Sequence, residues 1–243
     1  RIEILNTHQK YLKSPNLEIL GGIVFGDDAV APPDYIRTNF INSGLLHILA
    51  ASGMNVAFIY GFWFFFLRKL FKVPYKITVL SGMFVIILYA MMTGLGASVI
   101  RATIMILFIL AGKLINRDTH SIALLSLVAM LMLIYNPAYL NDVGFQLSFL
   151  VTFGLFVSAS ILTSKRDTLK DKLVAFVKDT ALVPFIAQVW VAPLQMFYFN
   201  TFSLYSLFAN ISIVLFLPLI SFGGFVSSII AIIKPLSNIS CMV

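Results

Sequence analysis

The residues best equipped for chemistry sit in a stretch otherwise suited to lipid. Gly44-Leu-Leu-His47-Ile-Leu-Ala-Ala-Ser52-Gly53-Met-Asn55 brings an imidazole, a hydroxyl and an amide into an apolar run. Without partners in hydrocarbon each costs on the order of a few kcal/mol, so each must face protein, water or a cavity. Two roles fit: interhelical glue, at about 0.6–2 kcal/mol per hydrogen bond, or the polar lining of a route. Gly53 also makes a broken helix plausible here. Arg101 is the one permanent charge well inside a later apolar run. Its guanidinium either snorkels to the headgroups or turns inward, where its fork of donors suits an oxyanion. Lysine at this position separates the two, because only the snorkelling role tolerates it. Gln146, Ser148, Gln188, Gln195, Asn200 and Asn210 add polar groups to the later runs, together with Pro184, Pro193 and Pro218. Prolines free backbone carbonyls within a helix, which suits a water-lined cavity.

Small residues recur at helical spacing. Gly53, Ala57 and Gly61 form one stripe; Gly94, Ser98 and Ala102 a second; Gly144, Ser148 and Thr152 a third. Such faces let helix backbones approach closely. Several chemistries are excluded. There is no Walker A loop. His8, His47 and His120 lie far apart and Cys241 is the single cysteine, so neither metal-ligand spacing nor an internal disulfide exists. Ala51-Ser52-Gly53 resembles the nucleophile turn of rhomboid-like intramembrane proteases, but position 50 is Ala and His47 points poorly for a Ser–His pair on the same helix. The expectation is therefore no catalytic residue, no metal, no cofactor and no enzyme.

The elements that must position these groups follow from composition. The chain has 243 residues, 60% apolar and 11% charged, with a formal net charge of +7 and a mean hydropathy of +0.96. A soluble domain carries about 25% charge, so a polytopic all-α membrane protein is expected. Seven runs approach the ~20 residues of a spanning helix: 45–67, 77–93, 98–114, 121–135, 144–162, 180–199 and 206–233. The last, with Pro218 in its middle, is a candidate for two half-helices. Cations crowd the breaks after odd-numbered runs: Arg68, Lys69, Lys72 and Lys76; Lys113 and Arg117; Lys165, Arg166, Lys170, Lys172 and Lys178; Lys234. The breaks after even-numbered runs carry none. Those cationic breaks are thus cytoplasmic and residues 1–43 form an extracytoplasmic juxtamembrane segment with short interfacial helices, ahead of a transmembrane domain at 44–243. Leu169, Leu173, Phe176 and Val177 mark an amphipathic helix on the inner surface. The start at Arg1 reads as an excerpt of a longer protein.

Residues 44–56, GLLHILAASGMNV, resemble the signature of the ComEC competence family, usually written with an HLLAISGLHV-like core. The resemblance continues in order. Gly26-Asp27 is similar to its upstream GD, and Tyr89-Ala-Met-Met-Thr93-Gly94 with Arg101-Ala102 to its YAxxTG…RA block. Arg117 follows. Asn136-Pro137 with Gly144-Phe-Gln146-Leu-Ser148-Phe149 resembles P…GFQLSF, and Pro193-Leu194, Phe199, Asn210 and Pro218 resemble the C-terminal PL…F…N…P pattern. Asn55 stands where the family often has His, and keeps the capacity to hydrogen-bond. The resemblance implies a multi-pass channel in the bacterial cytoplasmic membrane that passes single-stranded DNA inward during natural transformation. It also implies a DNA receptor and a cytoplasmic motor as partners, and OB-like and nuclease domains in full-length members. His47, Ser52, Gly53, Asn55, Thr93, Arg101, Gln146, Ser148 and Asn210 would line the route. Ala57, Gly61, Gly94, Ser98, Ala102 and Gly144 would pack the helices. A small-solute or ion transporter with a compact site at Arg101 and the amides, and an inert membrane scaffold, are the competing readings.

Overall fold

A computed structural model describes residues 7–9, 12–26, 30–159, 169–199, 206–214 and 216–232, with the backbone alone given over 169–181 and at a few helix ends. Asp27, Asn200 and the cations of the break at 160–168 lie outside the described residues, as do the side chains of the amphipathic stretch and Lys234. The described chain is helical throughout, without a strand. Its helices are α1 (Asn16–Phe25), α2 (Asp34–Asn42), α3 (Leu46–Leu49), α4 (Gly53–Phe65), α5 (Tyr75–Met92), α6 (Ala97–Leu114), α7 (Ser121–Tyr135), α8 (Val143–Val157), α9 (Leu169–Phe199), α10 (Ser206–Val214) and α11 (Leu217–Ile232).

Turn chemistry sets the ends. Pro74 precedes α5 and fixes its entry. At its exit, Gly94 (φ 79) bonds back to the Met91 carbonyl and Leu95 to the Ala90 carbonyl, the paired bonds of a Schellman stop. Gly44 (φ 70) ends α2 the same way, through Ile41 and Phe40. Asp142 caps α8, its Oδ1 accepting from the Phe145 N–H at 2.6 Å.

Two expected runs are not single helices. The first is α3, an extended Ala50-Ala-Ser52 link and α4; Ser52 has φ −107 and ψ 157. Small side chains there leave room for neighbouring backbones, and a residue of α6 receives the freed Gly53 N–H. The last divides into α10 and α11 beside Pro218, since proline cannot donate to the helix ladder. Conversely, the amphipathic stretch and the sixth run share one 31-residue helix, α9, with Pro184 and Pro193 inside it. The run-by-run reading of about seven transmembrane or re-entrant helices thus meets two broken runs and one merged helix. α5 and α6, each 18 residues, are long and apolar enough to cross a membrane, and several shorter apolar helices accompany them.

The outer face differs from that of a water-soluble domain. The outward face of α5 carries Ile77, Leu80, Phe84, Ile87, Leu88 and Met91, with Phe84 67% and Met91 66% exposed. Its buried face carries Thr78, Gly82 and Tyr89 among Val79, Val85, Ile86 and Ala90. Large apolar side chains left exposed along a whole helix face are stable against lipid, and the chain is a membrane protein. Two cores result. One joins Val56, Ile59, Val85, Ile86, Tyr89, Val99, Ala102 and Phe225; the other joins Met105, Leu124, Leu125, Val128, Met132 and Phe145. α6 contributes to both and is the shared wall. α1, part of the expected juxtamembrane segment with short interfacial helices, is buried from Gly21 to Phe25. Gly224 of α11 and Gly22 of α1 permit this: a Cβ would sit 2.4 Å from Val24 and 3.2 Å from the Leu49 carbonyl, respectively.

Candidate functional site

Polar side chains collect where α1, α5 and α9 end and α4, α6, α8 and α11 begin. Two clusters form there, on opposite sides of the α4–α6 contact.

The first centres on Asn55, which is 1% exposed in the opening turn of α4. Its Nδ2 donates to the Ile23 carbonyl at 2.8 Å, and its Oδ1 accepts from Ser221 at 3.1 Å. Tyr89, also 1% exposed, donates to the Val24 carbonyl at 3.1 Å. The last carbonyls of a helix have no partner in their own ladder. Asn55 and Tyr89 supply those partners and so fasten the carboxyl end of α1 to α4, α5 and α11. Every polar atom of the Asn55 amide oxygen and Nδ2 pair has a protein contact, and the residue faces no open space.

The second cluster centres on Arg101, half-buried in the second turn of α6. Its Nη1 donates to the Ser148 carbonyl at 2.6 Å and to the Thr152 hydroxyl, both on α8. Phe149 lies beneath the guanidinium, 5.8 Å from ring centre to Cζ. Nε is buried without a hydrogen-bond partner. The Ser148 hydroxyl donates to Ser98 at 3.1 Å, and Ser98 also accepts the Gly53 N–H at 3.3 Å. A Cβ on Gly53 would lie 2.9 Å from both Ala102 Cβ and Arg101 Nη2. Gly53, Ser98, Arg101, Ala102, Ser148 and Thr152 thus join α4, α6 and α8 at one crossing.

The remaining residues named from sequence fall elsewhere. His47 is exposed on α3, its ring against the Gly44 backbone. Ser52 is half-buried, and its hydroxyl does not cap α4. Thr93 is buried and donates to the Ala90 carbonyl, a local bond within the α5 stop. Gln146 braces two turns: it donates to the Leu140 carbonyl at 2.7 Å and accepts from Tyr198 at 2.9 Å. Asn210 is half-buried on α10. Of the residues expected in helix contacts, Ser98 and Ala102 lie against Gly53. Ala57, Gly61 and Gly144 are exposed, with nothing within 4 Å of a Cβ on Gly61. Gly94 serves the turn, because its positive φ suits glycine. Within the stripes, Ser98, Ala102, Ser148 and Thr152 meet neighbouring helices, whereas Ala57, Gly61 and Gly144 are exposed.

Sequence reasoning missed several partners. Tyr89 entered only as part of a family block and Ser221 not at all, and only the groups they meet reveal their roles. Trp190 covers Gly154 so closely that a Cβ would lie 2.3 Å away. His8, 3% exposed, shares a 2.8 Å hydrogen bond with Ser227 of α11, and burial lowers its pKa from the usual 6.5. Among the described residues no group of His, Cys, Asp or Glu is placed to hold a metal ion.

Comparison with known proteins places this arrangement. The chain is 29% identical over 230 residues to ComE operon protein 3 of Bacillus subtilis (strain 168). The match covers 95% of this chain and 28% of the relative, so the chain spans well under a third of that protein's length. No solved structure matches it. The family model described as Competence protein matches residues 23–243, which include both polar clusters, and the chain belongs to that family.

Proposed function

We propose that this chain is the membrane domain through which single-stranded DNA crosses the bacterial cytoplasmic membrane during natural transformation. Family membership supports a role in DNA uptake. The observation that carries the finer reading is Arg101: a cation held at a three-helix crossing by neutral acceptors alone, among the described residues. A nucleic acid strand carries one charge per nucleotide and needs cations and polar groups along its way. By the positive-inside rule, the breaks rich in lysine and arginine face the cytoplasm. The end that gathers Asn55, Arg101, Ser148 and Gln146 is then the outer one, where a strand arrives. The domain is a multi-pass passage without catalytic chemistry of its own. A DNA receptor outside, a motor inside, and OB-like and nuclease domains of the longer protein are its partners.

The test fills the crossing with bulk. Ser148→Leu, produced at normal membrane level, is expected to abolish entry of radiolabelled DNA into a nuclease-resistant pool while leaving DNA attachment to the cell surface intact. Full uptake by this variant would overturn the reading. Loss of a small-solute flux with DNA entry unchanged would favour a transporter.

A further inference from the structure

We propose that Arg101 is a binding site for one phosphodiester oxyanion, taken by the Nε–Nη edge of its guanidinium in exchange for the grip on α8. The inference rests on strand passage as the work of the domain, and names the atoms that meet the strand. A guanidinium has five donors in a fixed fork. Nη1 uses its donors on the Ser148 carbonyl and the Thr152 hydroxyl. Nε is buried and uses none. No carboxylate partners the charge among the described residues, and Phe149 covers one face of the plane. An unmatched, buried N–H on a cation costs more than one on a neutral group. Nη2 also lies beside Gly53, at the amino end of α4, where the helix dipole is positive and Ser52 provides no side-chain cap. Two positive features meet beside neutral oxygens at this crossing. A phosphodiester oxygen pair satisfies Nε and one Nη together, and its charge-assisted bonds are roughly twice as strong as those to neutral acceptors. The exchange leaves Ser148–Ser98 as the hydrogen bond still joining α6 to α8 at this level. Arrival of the strand therefore loosens the crossing it must pass. A lipid headgroup phosphate has the same chemistry, and the experiment distinguishes it.

The probe is an eight-nucleotide strand carrying 5-iododeoxyuridine, photocrosslinked to the purified full-length protein in nanodiscs. The ring of Phe149 is the reporter, read as an adduct on its peptide by mass spectrometry. The adduct is expected in the wild type, with a yield at least about tenfold lower in Arg101→Gln, in line with the loss of one bidentate arginine contact. Arg101→Lys, which keeps the charge and the fold, is expected to lose several-fold. An unchanged yield in either variant, or no Phe149 adduct in the wild type, overturns the site. An adduct that forms in phosphatidylcholine and vanishes in phosphatidylglycerol assigns Arg101 to the headgroup and also overturns it. Arg101→Gln with an unchanged adduct but no DNA entry in cells overturns this site and leaves strand passage standing. A lost adduct with normal entry supports the oxyanion site and overturns strand passage.

Discussion

Asn55 and Arg101 lie at the same end of the bundle, on either side of one helix crossing, and solve opposite problems. Asn55 is neutral, 1% exposed, and bonded to the end of α1 and to Ser221. Arg101 is charged, half-buried, and bonded to neutral acceptors with its buried Nε–H left over. A satisfied neutral group in a low-dielectric interior fixes helices in place. An under-satisfied charge retains affinity for something else. The difference separates a structural fastening from a ligand site in residues that look equally anomalous in a hydrophobic run.

Substitutions at five positions break or sharpen that contrast. Asn55→Leu has the largest expected effect on stability. It strands the Ile23 carbonyl and removes the acceptor for Ser221, at about 3 kcal/mol together. Thermal melting in detergent should show it clearly, whereas Arg101→Met should leave melting close to wild type. Equal losses in the two would erase the distinction. Asn55→His, which offers both a donor and an acceptor, should recover part of the deficit.

Gly53→Ala comes next, because it touches both sides. The added methyl meets Ala102 and Arg101 Nη2 at 2.9 Å, so α4 must back away from α6. Overpacking of this kind costs about 1–3 kcal/mol. DNA entry should fall in parallel with melting temperature, and entry retained in full would mean that the close contact is dispensable.

Tyr89→Phe removes one bond to the carboxyl end of α1, the one to the Val24 carbonyl, at about 1 kcal/mol. Limited proteolysis near α1 should accelerate while DNA entry by the surviving protein is unchanged. A specific loss of entry would give the fastening cluster a place in transport.

The smallest effect is pH-dependent. Burial lowers the pKa of His8, so the unfolded chain binds the proton first. The contribution of His8 is fully present above about pH 6.5 and falls as the pH drops below it. Melting of the wild type should decline between about pH 7.5 and about pH 5.5, and His8→Gln should flatten that slope. Parallel slopes would remove His8 from the attachment of the N-terminal segment to α11.

Much of the architecture was legible before any coordinates. Apolar content and hydropathy determined a helical membrane protein, since no soluble core holds that much apolar surface. Arg101 stood out because charge is costly in lipid. The interruption at Ser52-Gly53 and the division near Pro218 were signalled by small residues and by proline.

What only tertiary structure decided was which polar residue does what. Asn55 and Gln146 both read as candidates to line a route, and only the fold shows that one caps a neighbouring helix and the other braces a turn. The burial of α1 was hidden because its anchors, Asn55, Tyr89 and Gly224, come from distant parts of the chain. Periodicity records which face of a helix is polar or small. It does not record the angle at which the next helix crosses, and that angle determines whether a polar atom finds a carbonyl, a charge or nothing.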